Sequence, residues 1–365
     1  MLSITGDGRS PPAGGCLAMR TPTGDLTAIS GARQALGDPG FLQTPLPMQW
    51  DTSVDLGSVT KIVATTTALM MLVDLRIAKL EDPIRRFVPQ ASVDATVADL
   101  LLHRSGLWEW WPFYVTADTR ADVIDAACRL PPRYLPGTRH YSDLGFILLG
   151  AVVEHATSLD LDVAIGQLVL EPFNLTATQF ARPSAQDNTA ATSRGDWIER
   201  RMIDTGDPYP VTAHSEQFNR WREHVLVGEV NDGNAFHGCR GVSGHAGLFS
   251  TIPDLLDYGT MLLASLDGDG PLRRTTIQQF TRNARDANQA LGFLTWRTTM
   301  PGCSSIVFGH PGFPGVTLGV IPRHRTVVAL ALHRLQVTGE PIKIEPAWDL
   351  ALHAAHKIVH ETAHG

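Results

Sequence analysis

The chain has 365 residues, of which 43% are hydrophobic and 18% are charged, so it can bury the core of one or two domains. Its formal net charge of −7 at pH 7 argues against a nucleic-acid-binding surface. No apolar run reaches the length of a membrane span, and residues 1–15 lack the apolar segment of a secretion signal. We therefore expect a cytoplasmic protein with neither a nucleic-acid nor a membrane partner.

The first elements along the chain predict a β-hairpin and then a helix. Strand-like runs at 16–20 and 25–30 flank the turn at 21–24. Apolar residues then recur at helical spacing from 62 to 73, and Gly57 permits a sharp turn into that helix. Ser58 and Lys61 share one helix face, which places an amine beside a hydroxyl, as activation of a weak nucleophile requires. Taken alone, this pattern favours a surface N-cap serine with Lys61 in solvent.

The middle of the chain, residues 82–238, predicts a second lobe of helices and long loops. Trp108, Trp110 and Trp111 form an aromatic patch that either covers a bound substrate or packs on the core. Residues 183–221 are polar and irregular, which predicts a lid or a disordered insertion. The sequence Asn-Asp-Gly-Asn at 231–234 predicts a turn.

The C-terminal part predicts three strands at 305–309, 316–321 and 326–333, followed by a helix at 346–360. With the N-terminal hairpin they would form one antiparallel sheet flanked by helices. The fold class is therefore α/β (α+β), with a discontinuous sheet lobe at 1–81 and 239–365 and the active site between the lobes.

No cofactor is predicted from the sequence. No glycine-rich phosphate loop follows a strand, which leaves no nucleotide site. Four histidines share one stripe of a last helix that we expect to be solvated, but no acid or cysteine completes a metal site. They are His353, His356, His360 and His364. The scattered cysteines predict free thiols in a reducing compartment, and they are Cys16, Cys128, Cys239 and Cys303.

Four further stretches follow the pair of Ser58 and Lys61 along the chain. They are Leu-Leu-His-Arg-Ser-Gly-Leu at 101–107, Tyr-Ser-Asp-Leu-Gly-Phe at 141–146, Gly-Val-Ser-Gly-His-Ala-Gly-Leu-Phe-Ser at 241–250 and Gly-His-Pro-Gly-Phe at 309–313. Together they resemble the motifs of class C β-lactamase-related serine hydrolases, a superfamily that includes penicillin-binding-protein-like esterases and transacylases. Residues 101–107 resemble the segment after the family's first helix, 141–146 its second motif and 309–313 its third motif in the His-x-Gly form, while the family often carries a stretch like 241–250. The resemblance runs from about 16 to 333 and implies a β-lactamase-like fold.

The resemblance also implies roles for the residues in these motifs. Ser58 would be acylated, and either Lys61 or Tyr141 would take its proton. Burial is expected to lower the pKa of Lys61, and a nearby lysine charge should make Tyr141 easier to ionise. The backbone N–H groups of Ser58 and Phe313 would bind the tetrahedral oxyanion. His310 and Gly312 would line the cleft, although His310 also fits a buried strand histidine.

Two departures from the family pattern affect the expected substrate. Asp143 stands where many relatives have asparagine; an acid there can keep Lys61 charged, which would favour Tyr141 as the base. His310 and Pro311 stand where β-lactamases have the lysine and threonine that meet the β-lactam carboxylate. We therefore expect inefficient β-lactam hydrolysis and a preference for esters or amides that lack this carboxylate.

The first functional expectation is an esterase or transacylase, which cleaves a carboxylic ester through acyl-Ser58 and passes the acyl group to water, an amine or an alcohol. A D-amino-acid peptidase or amidase is the second. The alternative from another class is a non-catalytic ligand-binding protein, but the presence of Ser58, Lys61 and Tyr141 together weighs against it. The expected partner is a small ester or amide substrate, and the oligomeric state is left open.

Overall fold

The protein, seen here in a computed structural model, is built around one antiparallel sheet. The structure describes residues 9–38, 40–180, 188–282, 286–300 and 303–362. Their strands are β1 (Gly14–Thr21), β2 (Gly24–Leu36), β3 (Phe41–Pro47), β4 (Val54–Asp55), β5 (Ala191–Arg194), β6 (Val225–Val227), β7 (Phe249–Ser250), β8 (Leu294–Met300), β9 (Cys303–Pro311), β10 (Val316–Ile321) and β11 (Thr326–Leu332). Seven strands form the main sheet in the order β3-β2-β1-β11-β10-β9-β8, while β4 pairs with β7 and β5 with β6.

Helices cover the sheet and fill the middle of the chain. They are α1 (Thr67–Asp74), α2 (Val97–Leu101), α3 (Arg120–Arg129), α4 (Asp143–Thr157), α5 (Leu161–Ile165), α6 (Trp197–Thr205), α7 (Ile252–Asp267), α8 (Arg274–Thr281) and α9 (Glu345–Thr362). Hydroxyl side chains cap the N-termini of several of them, including Thr96 before α2, Thr119 before α3 and Ser142 before α4. Each cap satisfies an amide of the first turn that has no carbonyl partner within the helix.

Alternate side chains of β11 face opposite sides of the sheet, and each side is covered by a different helix. Val327, Ala329 and Ala331 belong to the large core that includes α7, while Val328 and Leu330 belong to a smaller core with α9. Both faces of the central strands are therefore buried, as their continuous apolar sequences indicate. The C-terminal helix packs on the sheet through Trp348, Ala351, Leu352 and Ala355, so the expectation that it is solvated was wrong.

The predicted sheet and its strands are confirmed. The N-terminal hairpin, the three C-terminal strands and the last helix all form close to their predicted bounds, except that β2 continues to Leu36 instead of ending at residue 30. Strands β3 and β8, which form the two edges of the sheet, were not predicted from the sequence. Strand β3 is mostly exposed, so it lacks the apolar run by which a strand is recognised.

The predicted lobes share a hydrophobic core. One cluster of buried side chains includes Cys16 and Leu318 from the sheet together with Leu100 and Phe146 from the helical middle. The insertion at 183–221 is ordered in its described part, because residues 188–221 contain β5 and α6. Residues 183–187 of that predicted lid lie outside the described residues. The lobe boundaries stay a prediction.

The remaining predictions concern cysteines, metals and membranes. Cys16, Cys128 and Cys239 are buried free thiols, while the side chains of Cys303 and His360 and all of His364 lie outside the described residues. Within the described ranges, no group of three or more His, Cys, Asp or Glu side chains is arranged to hold a metal ion. In the same part of the chain, no single helix is long and apolar enough to cross a membrane. Helix α4 and the helical segment Leu161–Leu170 would be long and apolar enough together, but the two are bent by 77° relative to each other.

Candidate active site

Ser58 lies at the start of the helical segment that leads into α1. Gly57 has φ +49°, a left-handed conformation in which a side chain is strained. The chain then makes a 3₁₀ turn (Gly57–Val59) and wide π-type turns (Lys61–Thr66) before the regular helix begins. The helix predicted from Ser58 is therefore present, but it is a regular α-helix only from Thr67. Segments of π-helix are frequent at functional sites.

The structure brings Ser58, Lys61 and Tyr141 together. Lys61 Nζ is fully buried and donates hydrogen bonds to Ser58 Oγ at 2.8 Å and to the backbone oxygen of His245 at 3.1 Å. The Tyr141 phenol lies close enough to both Ser58 and Lys61 for its ionisation to be coupled to each of them. Lys61 Nζ lies 5.2 Å from the centre of the Tyr141 ring. The hydroxyl, the amine and the phenol therefore form one cluster in which a proton can be exchanged.

Asp143 determines the charge of Lys61. Its Oδ1 lies 2.7 Å from Lys61 Nζ, at the first residue of α4. Burial disfavours the ammonium, but the Asp143 carboxylate and the Tyr141 phenol outweigh it and raise the pKa of Lys61 above its ordinary value. The expectation of a lowered lysine pKa was therefore wrong. The structure agrees instead with the alternative in which the acid keeps Lys61 charged.

Tyr141 is neutral in the same cluster. Burial raises the pKa of its phenol above the ordinary value, and the charge of Asp143 raises it further, against the opposing effect of Lys61. The expected easier ionisation of Tyr141 is thus also wrong. The resting site holds an ammonium, a carboxylate and a neutral phenol, so one proton must leave Lys61 or Tyr141 before either can take the proton of Ser58.

The turn between β9 and β10 lies directly against the Ser58 turn. A Cβ added to Gly312 would lie 2.2 Å from the backbone oxygen of Leu56, and one added to Gly57 would lie 3.3 Å from Phe313 N. Side chains at these two positions would push the turns apart. Close contact places the Phe313 amide beside the N-terminus that carries Ser58. The oxyanion role of these two amides stays a prediction.

His310 lies on the last part of β9 and lines the cleft. Its Nδ1 donates to the backbone oxygen of Pro311 at 2.7 Å, so Nε2 carries the lone pair. Nε2 is buried and has no hydrogen-bond partner among the described residues. Burial, assisted by the Lys61 charge, lowers the pKa of His310 to about 3. His310 is therefore a neutral acceptor within 5.9 Å of Tyr141, measured between ring centres.

A buried carboxyl that the sequence analysis did not identify fixes the Ser58 turn. Asp55 accepts hydrogen bonds from the Gly57 amide at 2.8 Å and the Asn231 amide at 2.7 Å. Burial raises its pKa to about 6. Asp55 precedes Ser58 by three residues, but nothing in the local sequence indicated that this acid is buried. It connects the predicted turn at 231–234 to the segment that carries Ser58.

A second overlooked pair lies under Lys61. His245 Nε2 contacts Asp232 Oδ1 at 2.9 Å, and its Nδ1 contacts Ser243 Oγ at 2.8 Å. Although burial opposes ionisation, His245 lowers the pKa of Asp232 to about 2. These contacts hold the backbone oxygen of His245 where it accepts the Lys61 hydrogen bond. Both segments, 231–234 and 241–250, stood out in the sequence, but only the fold shows that they meet.

The cleft has a volume of about 740 Å³, and Ser58 and Tyr141 are part of its wall. Trp110 lines it, as do residues of the insertion, so the described part of the predicted lid does border the site. Trp108 and Trp111 are not among the lining residues; they pack on each other with ring centres 5.0 Å apart and against the large core. Their predicted substrate contact has no support from their position.

Comparisons with known proteins agree with this geometry. A family model described as β-lactamase matches residues 23–352. The N-acetylmuramyl-L-alanine amidase of Bacillus subtilis (strain 168) is 30% identical over 329 residues, which are 80% of this chain and 70% of the relative. A protein of Escherichia coli (strain K12) described as "Putative D-alanyl-D-alanine carboxypeptidase" is 29% identical over 348 residues, which are 86% of this chain and 76% of the relative.

A solved structure shows the same fold. The D-amino acid amidase of Ochrobactrum anthropi SV3, complexed with D-phenylalanine, superposes with a TM-score of 0.68 at 20% identity, over 95% of this chain and 94% of that chain. The predicted β-lactamase-like fold is therefore confirmed. Because the family model spans most of the sequence and all the motifs around Ser58, the chain belongs to the β-lactamase family.

Proposed function

We propose that the protein is a serine hydrolase that cleaves an amide of a D-amino acid, or a short peptide containing one, through acyl-Ser58. The names of the relatives and of the similar structure support an amidase or peptidase more than the ester-cleaving transacylase that the sequence analysis placed first. The observation that carries the proposal is the cluster of Ser58, Lys61 and Tyr141 at the wall of a cleft large enough for a small peptide.

The proposed reaction has two steps, acylation of Ser58 and hydrolysis of the acyl-enzyme. Ser58 Oγ attacks the substrate carbonyl while its proton passes to the Lys61–Tyr141 pair; the C–N bond then breaks and the leaving amine receives that proton. Water next attacks the ester carbonyl, which frees the acid and restores the Ser58 hydroxyl. In this mechanism the amides of Ser58 and Phe313 would stabilise both tetrahedral intermediates, typically by a few kcal/mol per donor.

The cleft is lined by an apolar cluster and by acidic side chains, which suit the side chain and the ammonium group of an apolar amino acid amide. Trp110, Met202 and Tyr209 belong to one hydrophobic cluster and line the cleft, which suits an apolar side chain. Glu199 and Asp232 line it as well, which suits an ammonium group. Burial and the neighbouring Asp232 raise the pKa of Glu199 to about 8, and a bound cation would favour its ionised form.

A carboxypeptidase acting on a D-configured C-terminus is the second candidate. Arg334 favours it, because this arginine lines the cleft and donates a hydrogen bond to the backbone oxygen of Phe313 at 2.6 Å. A guanidinium beside the proposed oxyanion turn could also contact a substrate carboxylate. The arginine stands close to the place where the family's usual carboxylate contacts are missing.

Enantiomeric substrates test the proposed function. We expect kcat/KM for D-phenylalanine amide to exceed that for L-phenylalanine amide by about 10²-fold or more, since the acyl carbon must reach Ser58 with the side chain in one wall of the cleft. N-acetylation should weaken binding of the D-amide by removing the ammonium. A D-alanyl-D-alanine peptide, with its C-terminal carboxylate free or amidated, separates the two candidates.

The outcomes that contradict the proposal are specific. Equal rates for the two enantiomers would remove the D-amino acid assignment. Cleavage of activated esters without cleavage of any amide or peptide would return the assignment to an esterase. Product partitioning with a rising concentration of an added amine would then show whether the acyl group passes to water or to that acceptor.

Asp143→Asn tests the charge state of Lys61. Removing the carboxylate at 2.7 Å takes away the main interaction that favours the ammonium, so the pKa of Lys61 must fall. Because the active form has lost one proton, the acidic limb of the kcat/KM–pH profile should move to lower pH in the variant. The measurement is that profile for both proteins on one substrate. An acidic limb at the same pH in both would show that Asp143 does not control the ionisation.

A further inference from the structure

His103 holds the chain on both sides of Tyr141. Its Nδ1 accepts a hydrogen bond from the Ser142 amide at 3.0 Å, and its backbone oxygen accepts one from the His140 amide at 2.9 Å. The side chain is 2% exposed, and its φ of +56° is uncommon for a residue other than glycine. The residue before Tyr141 and the residue after it are thus both attached to the same histidine.

The imidazole ring of His103 also contacts the phenol ring directly. The ring centres of His103 and Tyr141 lie 4.6 Å apart with a tilt of 35°, and His103 lies 5.3 Å from the Phe146 ring on α4. Tyr141 is therefore held by a ring contact as well as through its backbone. Its hydroxyl, at the other end of the side chain, remains free to bond Ser58 and Lys61.

The ring of His103 is neutral. Because Nδ1 accepts the Ser142 amide, the proton is on Nε2, which is buried without a partner among the described residues. Burial lowers the pKa of His103 well below its ordinary value, and the nearby groups Lys61, His310 and Arg139 act in the same direction. His103 therefore adds no positive charge of its own to the cluster of Lys61 and Tyr141.

We propose that His103 is a positioning residue for Tyr141. It holds the phenol within hydrogen-bond reach of Ser58 and Lys61 because it accepts hydrogen bonds from the amides of His140 and Ser142 and packs against the phenol ring. The inference rests on the proposed function in one respect, namely that Tyr141 belongs to the proton-transfer cluster. It assigns His103 no contact with substrate. Loss of either attachment would displace the phenol, and small displacements of a reacting group have large effects on rate.

Two variants separate the attachments. His103→Asn tolerates the left-handed backbone and retains an acceptor near the position of Nδ1, but it removes the ring. His103→Phe retains a ring but leaves the Ser142 amide without its acceptor. His333→Asn is the matched control, because His333 is also buried and its Nδ1 bonds the backbone oxygen of Ala32 at 2.9 Å, yet it does not line the cleft.

The test is a double-mutant cycle with Tyr141→Phe, measured with an activated ester on proteins whose thermal unfolding shows them folded. We expect each His103 variant to lower kcat by about 10-fold or more with KM nearly unchanged, while His333→Asn keeps the wild-type kcat. In the Tyr141→Phe background, His103→Asn should cost about 2-fold or less, because the group it positions is already gone. If His103→Phe does not fold, the effect of His103→Asn on kcat in the two backgrounds is sufficient to test the positioning role.

Three results would overturn the positioning role of His103, and one of them would also overturn the proton-transfer role of Tyr141. His103→Asn could lower kcat by the same factor in the Tyr141→Phe background as in the wild-type protein. That result would overturn the positioning role and leave the proposed function intact. The same holds if His333→Asn loses as much kcat as His103→Asn, since the effect is then a general one of buried histidines. Full activity of Tyr141→Phe would overturn the proposed proton transfer together with this inference.

Discussion

Ser58→Ala should lower kcat by about 10⁴-fold or more on any substrate that the wild-type protein cleaves, because it removes the oxygen that the proposed mechanism acylates. The fold should survive. Ser58 is half-buried and its hydroxyl accepts one hydrogen bond from Lys61, so the free energy of unfolding should change by only about 1 kcal/mol. The measurements are steady-state kinetics and thermal unfolding of the same preparation.

Ser265→Ala is the matched control for Ser58→Ala. Its hydroxyl is buried in α7, donates to the backbone oxygen of Met261 at 2.8 Å and does not line the cleft. This variant should lose stability without losing kcat. Substantial activity of folded Ser58→Ala would mean that another group carries the acyl chemistry.

Lys61→Ala and Tyr141→Phe should each lower kcat by about 10²-fold or more, because each removes one member of the cluster that takes the Ser58 proton. The double variant should be little worse than the poorer single variant, since the two groups act as one unit. Kinetics of the two single variants and the double variant on one ester measure the coupling. Multiplicative losses would contradict a shared proton path.

The stability of Lys61→Ala needs its own control. Removing the ammonium leaves the Asp143 carboxylate, whose Oδ1 is buried, without its positive partner, and breaking a buried ion pair typically costs about 3–5 kcal/mol. Lys61→Ala combined with Asp143→Asn removes that charge and should recover most of the stability. It should not recover kcat. Recovery of kcat together with stability would show that Lys61 acts on the fold rather than on the reaction.

The sequence predicted the parts of the site that depend on local spacing. Ser58 and Lys61 lie three apart in a helical segment, and the fold needed only to form that segment for the 2.8 Å contact to arise. Tyr141, Gly312 and Phe313 come from distant parts of the chain. They could be named only because their motifs resemble those of a known family.

The sequence left the charges of the site open between two alternatives. Burial alone would lower the pKa of Lys61, and the direction changes because Asp143 lies 2.7 Å away and Tyr141 adds to its effect. That distance is set by the packing of α4 against the Ser58 segment, which no spacing rule determines. For the same reason the pair of His245 and Asp232 was missed, since each residue has meaning only beside the other.

Local signals also failed where the surroundings impose the structure. The polar insertion looked irregular, but its described part forms β5 and α6 and contributes Met202 and Tyr209 to the cleft. Its order comes from packing, because Met202 and Tyr209 join a cluster with Trp110 and Phe218. A short amphipathic helix between loops carries little periodic signal of its own.

The most direct measurement is the mass of the peptide that contains Ser58 after brief reaction with D-phenylalanine methyl ester and rapid acid quenching. We predict a gain equal to one phenylalanyl group on Ser58, much less gain with the L-ester, and none in Ser58→Ala. An ester keeps the acylation step fast enough for the intermediate to accumulate. Consumption of the D-ester with an adduct on a different residue, or with equal adducts from both enantiomers, would contradict a D-aminoacyl-Ser58 intermediate.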